Sequence, residues 1–321
     1  MGYRFELDES PQAGLRRIVA EETAQIVARL TTDADYETAI HDSRKRLKRL
    51  KALFKLVRRA LPKDVYAEEY GLVRDIGRAL SSVRDFHVMP TTLVTLCAAS
   101  DADEPATAIE PAVASQVQAA IAAAHAELID GSTNEHEQLP ALAGRLVEAR
   151  SRHAELELDD DAFEVLALGT AHGLRMLRRQ HKVALAVDSD EAYHDWRKSA
   201  QLHWRQLRLL REIWPAQIGV RVAATKSLAF TLGHDHDLSV LAHFIDALPA
   251  AQLAPDQRCH VVAMIAARQQ LLRREARAYA GLLVGDGPYD FARRLQAMHT
   301  SRKRIAELSA PLCALYASPD G

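Results

Sequence analysis

The sequence predicts an all-α protein built from two related halves. Three observations carry this prediction. Ala, Leu, Arg and Glu are abundant while aromatic residues make up 6% of the 321 residues, and those abundant types lose little side-chain freedom in a helix. Apolar residues recur at three- and four-residue spacing, and no stretch shows the apolar–polar alternation of a strand. His41-Asp42-Ser43-Arg44-Lys45 returns as His194-Asp195-Trp196-Arg197-Lys198, 153 positions on.

The elements follow in order. Leu15, Ile18, Val19, Ile26 and Leu30 mark a first helix. Ser10 is its N-cap and Pro11 its first residue. A second helix is expected over Tyr36–Leu61, stopped by Pro62, and a third over Val65–Leu80. Asp101-Ala102-Asp103-Glu104-Pro105 reads as a loop. Ala-rich helices are expected over Pro111–Ile129 and Leu139–Arg152, and the acidic segment Glu155–Asp161 separates the halves. The second half repeats the plan over Phe163–Leu185, Glu191–Trp214 (before Pro215), Gln217–Leu232, Leu238–Leu248, Asp256–Leu283 and Tyr289–Ser309. A second shared motif, Leu80–Asp85 against Leu232–Asp237, supports the duplication. The expected units are therefore a first bundle over 1–153 and a second over 162–321, with equivalent helices facing one groove.

Hydrophobic residues at 48% allow a sizeable core, and the net charge of −2 argues against a chain that is basic all over. Cys97, Cys259 and Cys313 are too few and too scattered for a disulfide framework or a zinc cluster. With no signal-like start and no long apolar run, a cytoplasmic protein without membrane spans is expected.

The chemistry lies in the second helix. From Arg44 to Arg59 it carries nine basic residues and no acidic one. A solvated face ordinarily alternates sign, because like charges at i,i+4 destabilise a helix. At about 100° per residue, His41, Lys48, Lys51, Lys55, Arg58 and Arg59 fall within about 60° of Arg44. Leu47, Leu50, Phe54, Val57 and Leu61 cluster on another side, centred about 100° away. In the second copy His194, Arg197, Arg208 and Arg211 share a face with Arg205 at its margin, while Gln201 and Trp204 replace Lys48 and Lys51. Arg178 and Arg179, with Arg175 and Lys182, form a further cluster. A row of cations headed by a histidine suits a linear polyanion: Arg offers a fork matched to phosphate, and Lys a mobile point charge.

These two helices, with Gly14–Glu22, Leu232–Leu241 and Gly287–Leu295, resemble the conserved-histidine α-helical domain family, CHAD, over nearly the whole chain. The resemblance implies two antiparallel four-helix bundles around a basic central channel. It also implies binding of inorganic polyphosphate, a link to polyphosphate granules, and no catalysis by the domain itself. The family's channel-lining roles fall on His41, Arg44, Lys45, Lys48, Arg49 and Lys51, and on His194, Arg197, Lys198, Arg205 and Arg208. Lys55, Arg58, Arg178 and Arg179 join them on the charge pattern. No cofactor or metal is expected, and nucleic acid is expected to bind weakly. Two rival readings are a metal-dependent helical phosphohydrolase, from the His-Asp pairs at His41, His194, His234 and His236, and a phosphotransfer protein carrying phosphate on His41 or His194. Asp85 and Asp237 are expected to orient or cap within the bundle.

Overall fold

The computed structural model describes residues 2–32, 35–80, 84–103, 108–131 and 135–316, and among them every regular element is helical. The helices are α1 (Pro11–Thr32), α2 (Tyr36–Val57), α3 (Lys63–Ala79), α4 (Arg84–Asp103), α5 (Pro111–Gly131), α6 (Glu135–Glu148) and α7 (Arg150–Ala154) in the first half. The second half has α8 (Glu164–Val187), α9 (Asp190–Leu209), α10 (Pro215–Asp246), α11 (Pro255–Val284) and α12 (Pro288–Tyr316).

Side-chain caps set the starts of the two basic helices. Asp35 accepts from the Thr38 amide at 3.2 Å and opens α2, and Ser189 accepts from the Ala192 amide at 3.3 Å and opens α9. Each supplies an acceptor to a first-turn N–H that has no helical partner. Ser10 does the same for α1 through Ala13 at 3.3 Å.

Four boundaries differ from the sequence reading. The stretch read as two helices, 217–232 and 238–248, is the single helix α10. Leu228, Leu232, Asp235, Leu238, Leu241 and Ile245 form one buried face through the Gly-His-Asp-His-Asp run, and that packing outweighs the roughly 1 kcal/mol cost of a mid-helix glycine. In the first half the same path is split into α3 and α4. Residues 84–103, unassigned from the sequence, are helical, and Asp101–Asp103 form the end of α4 rather than a loop; Glu104 and Pro105 lie outside the described residues, as do Ser81–Val83. The basic helices also end early: α2 at Val57 and α9 at Leu209, the latter followed by a 3-10 turn at Arg211–Ile213.

The core draws on both halves. α2 packs against α1 and α3 of its own half and against α8 and α9 of the other. Leu53, Phe54, Trp196, Leu207, Leu177 and Leu228 belong to one buried cluster. A second cluster lies at one end, where Leu93 and Leu96 of α4 and Val117 of α5 meet Leu241 of α10 and Ile265 of α11. At Gly169 of α8 a Cβ would stand 1.9 Å from the Leu56 carbonyl oxygen of α2, so these helices touch backbone to backbone. The acidic linker is packed down: the Asp159 amide donates to Ala60 O at 2.7 Å, and Leu156 is buried. The N-terminal segment is a strap across both basic helices. Tyr3 Oη donates to Arg49 O at 3.1 Å and the Phe5 amide donates to Leu209 O at 2.8 Å.

Candidate functional site

The stripe of α2 lies along α3. Arg44 donates to Leu80 O and caps the C-terminus of α3, where a cation is favoured by the helix dipole. One turn and more further on, Lys51 lies against Gly77; a Cβ there would sit 2.9 Å from its Nζ. The Lys55 ammonium stands 5.7 Å from the Tyr70 ring centroid, the Arg58 guanidinium 5.1 Å from that of Tyr66, and the two tyrosines stack at 5.2 Å. Burial pushes the Lys51 pKa down, and Arg44, Arg78, Lys55 and Arg74 push it further. Its neighbours are thus cations from two helices. Lys48 is half-buried in the same row, and His41 is exposed at its head.

Arg49 leaves the stripe, as its place about 140° from Arg44 requires. It donates to the buried Glu22 of α1 at 3.0 Å and stands 5.5 Å from the Tyr3 ring. On this side α9 arrives. Arg208 stands 5.8 Å from the same Tyr3 ring and 5.5 Å from that of Trp204, and Arg205 stands 5.2 Å from Trp204. Burial, opposed by Tyr3 and reinforced by Arg208, Arg49 and Arg197, takes the Arg205 pKa down to about 10. Arg208 is lowered by burial and by Arg49. Cations of the two repeats therefore act on each other, Arg49 of α2 on Arg205 and Arg208 of α9.

The second half reproduces the first with substitutions. Arg197 is buried beside Gly233, where a Cβ would stand 3.8 Å from its Nε; Arg44 meets Leu80, whose counterpart Leu232 immediately precedes Gly233. The ring of His194 lies 4.1 Å from that of His236. Lys45 and Lys198 are exposed and each pairs with the aspartate three residues back, Asp42 at 3.2 Å and Asp195 at 2.9 Å. The Asp of each repeated His-Asp pair is thus held by a lysine. Arg178 donates to Asp286 O at 2.9 Å, next to the Asp286–Arg221 and Asp286–Arg294 ion pairs, and Arg179 is exposed on the same helix.

The structure adds residues to those chosen from the sequence. Arg74 and Arg78 of α3 crowd Lys51. On α8, Arg175 donates to His172 Nδ1 at 2.9 Å. The His172 pKa is lowered by burial and then by Arg175, Arg59, Arg58 and Lys55. Arg59, His172, Arg175 and Tyr289 line a shallow pocket. The basic track thus runs from α3 over α2 to α8. The i,i+4 pair Arg74/Arg78 was an available signal, and His172 lies three residues before Arg175, which the charge pattern had already picked out; Tyr3 had none. Lys51, Lys55, Arg58, Arg59, Arg205 and Arg208 have no carboxylate at ion-pairing distance among the described residues.

The carboxylate buried in the second half is Asp235, which accepts from Arg273 Nε at 2.9 Å. Its pKa is nevertheless raised to about 6, because burial, with Asp190 and Asp188 nearby, outweighs Arg273. The Asp85 side chain lies outside the described residues. Asp237 lines a pocket with His234, Arg268 and Thr95. No group of three or more His, Cys, Asp and Glu side chains converges as a metal site among the described residues.

An all-helical protein with two repeated helices that carry basic stripes and pack on each other is the class that these observations define. The chain belongs to the CHAD domain family, which matches residues 13–246. Its fold is similar to that of PptA from Streptomyces chartreusis, with a TM-score of 0.60 at 14% identity, over 87% of this chain and 100% of that one. No curated protein matches the chain. No helix among the described residues is long and apolar enough to cross a membrane.

Proposed function

We propose that the protein binds inorganic polyphosphate without catalysis, and that it serves in the cytoplasm to target or organise polyphosphate granules. The observation that carries this reading is the gathering of cations of both repeats, Lys51 among Arg44, Arg74, Arg78 and Lys55, and Arg205 among Arg208, Arg49 and Arg197, in which Lys51, Lys55, Arg205 and Arg208 have no carboxylate at ion-pairing distance among the described residues. Such a cluster is repulsive in the free protein and is relieved by a polymer of negative charges. The residue types support phosphate over carboxylate ligands in general, since Arg forks and Lys point charges both match phosphate oxygens.

In this reading the halves, 1–153 and 162–321, are two pseudo-symmetric antiparallel four-helix bundles, and the basic track is the wall of a central channel between them. His41, Arg44, Lys48, Lys51, Lys55, Arg58, His194, Arg197, Arg205 and Arg208 line it; Lys45, Arg49, Lys198, Arg178 and Arg179 stand at its margins. Single-stranded RNA and DNA bind more weakly than polyphosphate at equal salt.

Calorimetric titration of long-chain polyphosphate tests the reading. Wild-type protein binds tightly, and a variant with Lys51, Lys55 and Arg208 changed to Ala, verified as folded by circular dichroism, loses most of that affinity. The slope of log K against log salt shrinks by about 0.7–0.9 per contact removed. Absence of wild-type binding at modest salt defeats the proposal. Metal analysis with a phosphatase assay then tests the hydrolase reading, and acid-labile phosphate on His41 or His194 tests phosphotransfer.

A further inference from the structure

The two repeats differ at the positions of Lys51 and Arg78, two cations close enough for Arg78 to depress the Lys51 pKa. Trp204 stands 153 positions after Lys51, and Phe230 stands 152 positions after Arg78, the offset of the Leu80–Asp85 motif; their rings meet edge to face at 6.4 Å and 77°. Phe230 is 52% exposed. The Lys226 ammonium, one turn earlier on α10, stands 5.4 Å from its ring centroid. Arg205 and Arg208 lie over Trp204, whose Nε1 is buried without an acceptor among the described residues. A single exposed phenylalanine needs no explanation. This one is held on edge by a tryptophan, with Lys226 beside it and Arg205 and Arg208 over the tryptophan, in a wall whose counterpart is lysine and arginine. A chain of phosphates makes no use of an aromatic face. A nucleobase does, since every base stacks on such a ring and an adjacent cation strengthens the stack.

We propose that this wall takes a nucleoside polyphosphate, with the base on the open face of Phe230 beside Lys226 and the phosphates on Arg205 and Arg208. The inference rests on the polyphosphate reading of the groove, because the same cations receive both kinds of phosphate chain. It selects a mononucleotide over a nucleic-acid strand: sequence-independent strand binders stack successive bases on several aromatics, and here one exposed ring is backed by one other.

Paired titrations of ATP and inorganic tripolyphosphate at fixed ionic strength test it. The two ligands share their phosphates, and tripolyphosphate carries at least as much charge, so any advantage of ATP reports the base. Stacking contributes about 1–3 kcal/mol per base, so wild-type protein is expected to hold ATP about 5- to 150-fold tighter than tripolyphosphate. In Phe230→Ala, a half-exposed position at which the fold is retained, the ratio falls towards one. The inference is overturned if the wild type binds tripolyphosphate as tightly as ATP, or if the preference for ATP survives in Phe230→Ala. Oligoadenylate binding tighter than ATP overturns the choice of a mononucleotide. Binding of ATP with no binding of tripolyphosphate or long-chain polyphosphate removes the polyphosphate reading while leaving the base site in place. Binding of both inorganic chains without preference for ATP does the reverse.

Discussion

Changing Lys51 to Met should stabilise the free protein and weaken its grip on polyphosphate. Lys51 is half-buried, and burial together with Arg44, Arg78, Lys55 and Arg74 disfavours its charge. On α2 itself Lys48 lies three residues before it and Lys55 four after, two like-charge pairs of the kind that cost about 0.2–0.5 kcal/mol each. Adding comparable repulsion from Arg74 and Arg78 gives about 1 kcal/mol relieved by a neutral side chain of similar length. For a chain of this size that raises the apparent Tm by about 1.5 °C in low salt. Salt screens the repulsion, so the gain shrinks above a few tenths molar. The pH dependence has a definite sign. The folded pKa of Lys51 lies below its unfolded value, so the unfolded chain holds more protons between the two, and wild-type stability rises as pH climbs through the depressed value. That contribution is absent in Lys51→Met. Polyphosphate affinity falls about tenfold, the loss of one charge-assisted contact, with a salt slope smaller by about 0.7–0.9. Differential scanning fluorimetry at two salt concentrations and calorimetry with polyphosphate make the measurements. A variant that melts earlier than wild type in low salt, or binds polyphosphate with unchanged affinity and slope, refutes the argument.

Three more outcomes follow from the packing. Gly169→Ala drives a methyl into the Leu56 carbonyl and should destabilise by about 2–3 kcal/mol; chemical denaturation reads this, and wild-type stability would mean that α2 and α8 do not approach as described. Glu22→Gln leaves Arg46 and Arg49, which Glu22 binds at 3.2 and 3.0 Å, without their buried anion and should cost about 3 kcal/mol; a loss below about 1 kcal/mol contradicts it. Burial, reinforced by Arg221, holds the fully buried His203 at a pKa of about 3. The unfolded chain therefore takes up a proton below pH 6.5 that the folded one refuses, and stability drops with acid by up to about 1.4 kcal/mol per pH unit. Asp235, raised to about 6, opposes this, since its contribution is present below the unfolded value and lost as pH rises through 6. His203→Gln should remove the histidine part of the acid slope in denaturation series from pH 7 to 4, and an unchanged slope rejects the assignment.

Most of the helices were legible because their causes are local. The Pro11 start and the Ser10 cap act within one turn, and the recurring leucines define faces that any partner would bury. The exceptions have tertiary causes. α10 passes through Gly233 because its buried face packs on α9 and α11 and because Arg273, from α11, holds Asp235. α2 and α9 stop short of their prolines, α9 in a 3-10 turn. The site divides in the same way. The stripe on α2 and its thinner copy on α9 follow from charge spacing alone, whereas Lys45 and Lys198 prove to be clasped by Asp42 and Asp195, and Arg178 to be engaged by Asp286 O.

Helical class, the duplication, the two basic faces and the family resemblance are properties of spacing along one chain, so the amino-acid order alone settled them. Which cations share a field did not follow from it. Lys51 is crowded by Arg74 and Arg78 across a helix–helix contact, and Arg49 turns from its own stripe to join Arg205 and Arg208. Tyr3 enters their midst from a strap at the other end of the sequence. Electrostatic interaction depends on distance and burial through space, and both are set only when α2, α3, α8 and α9 pack together.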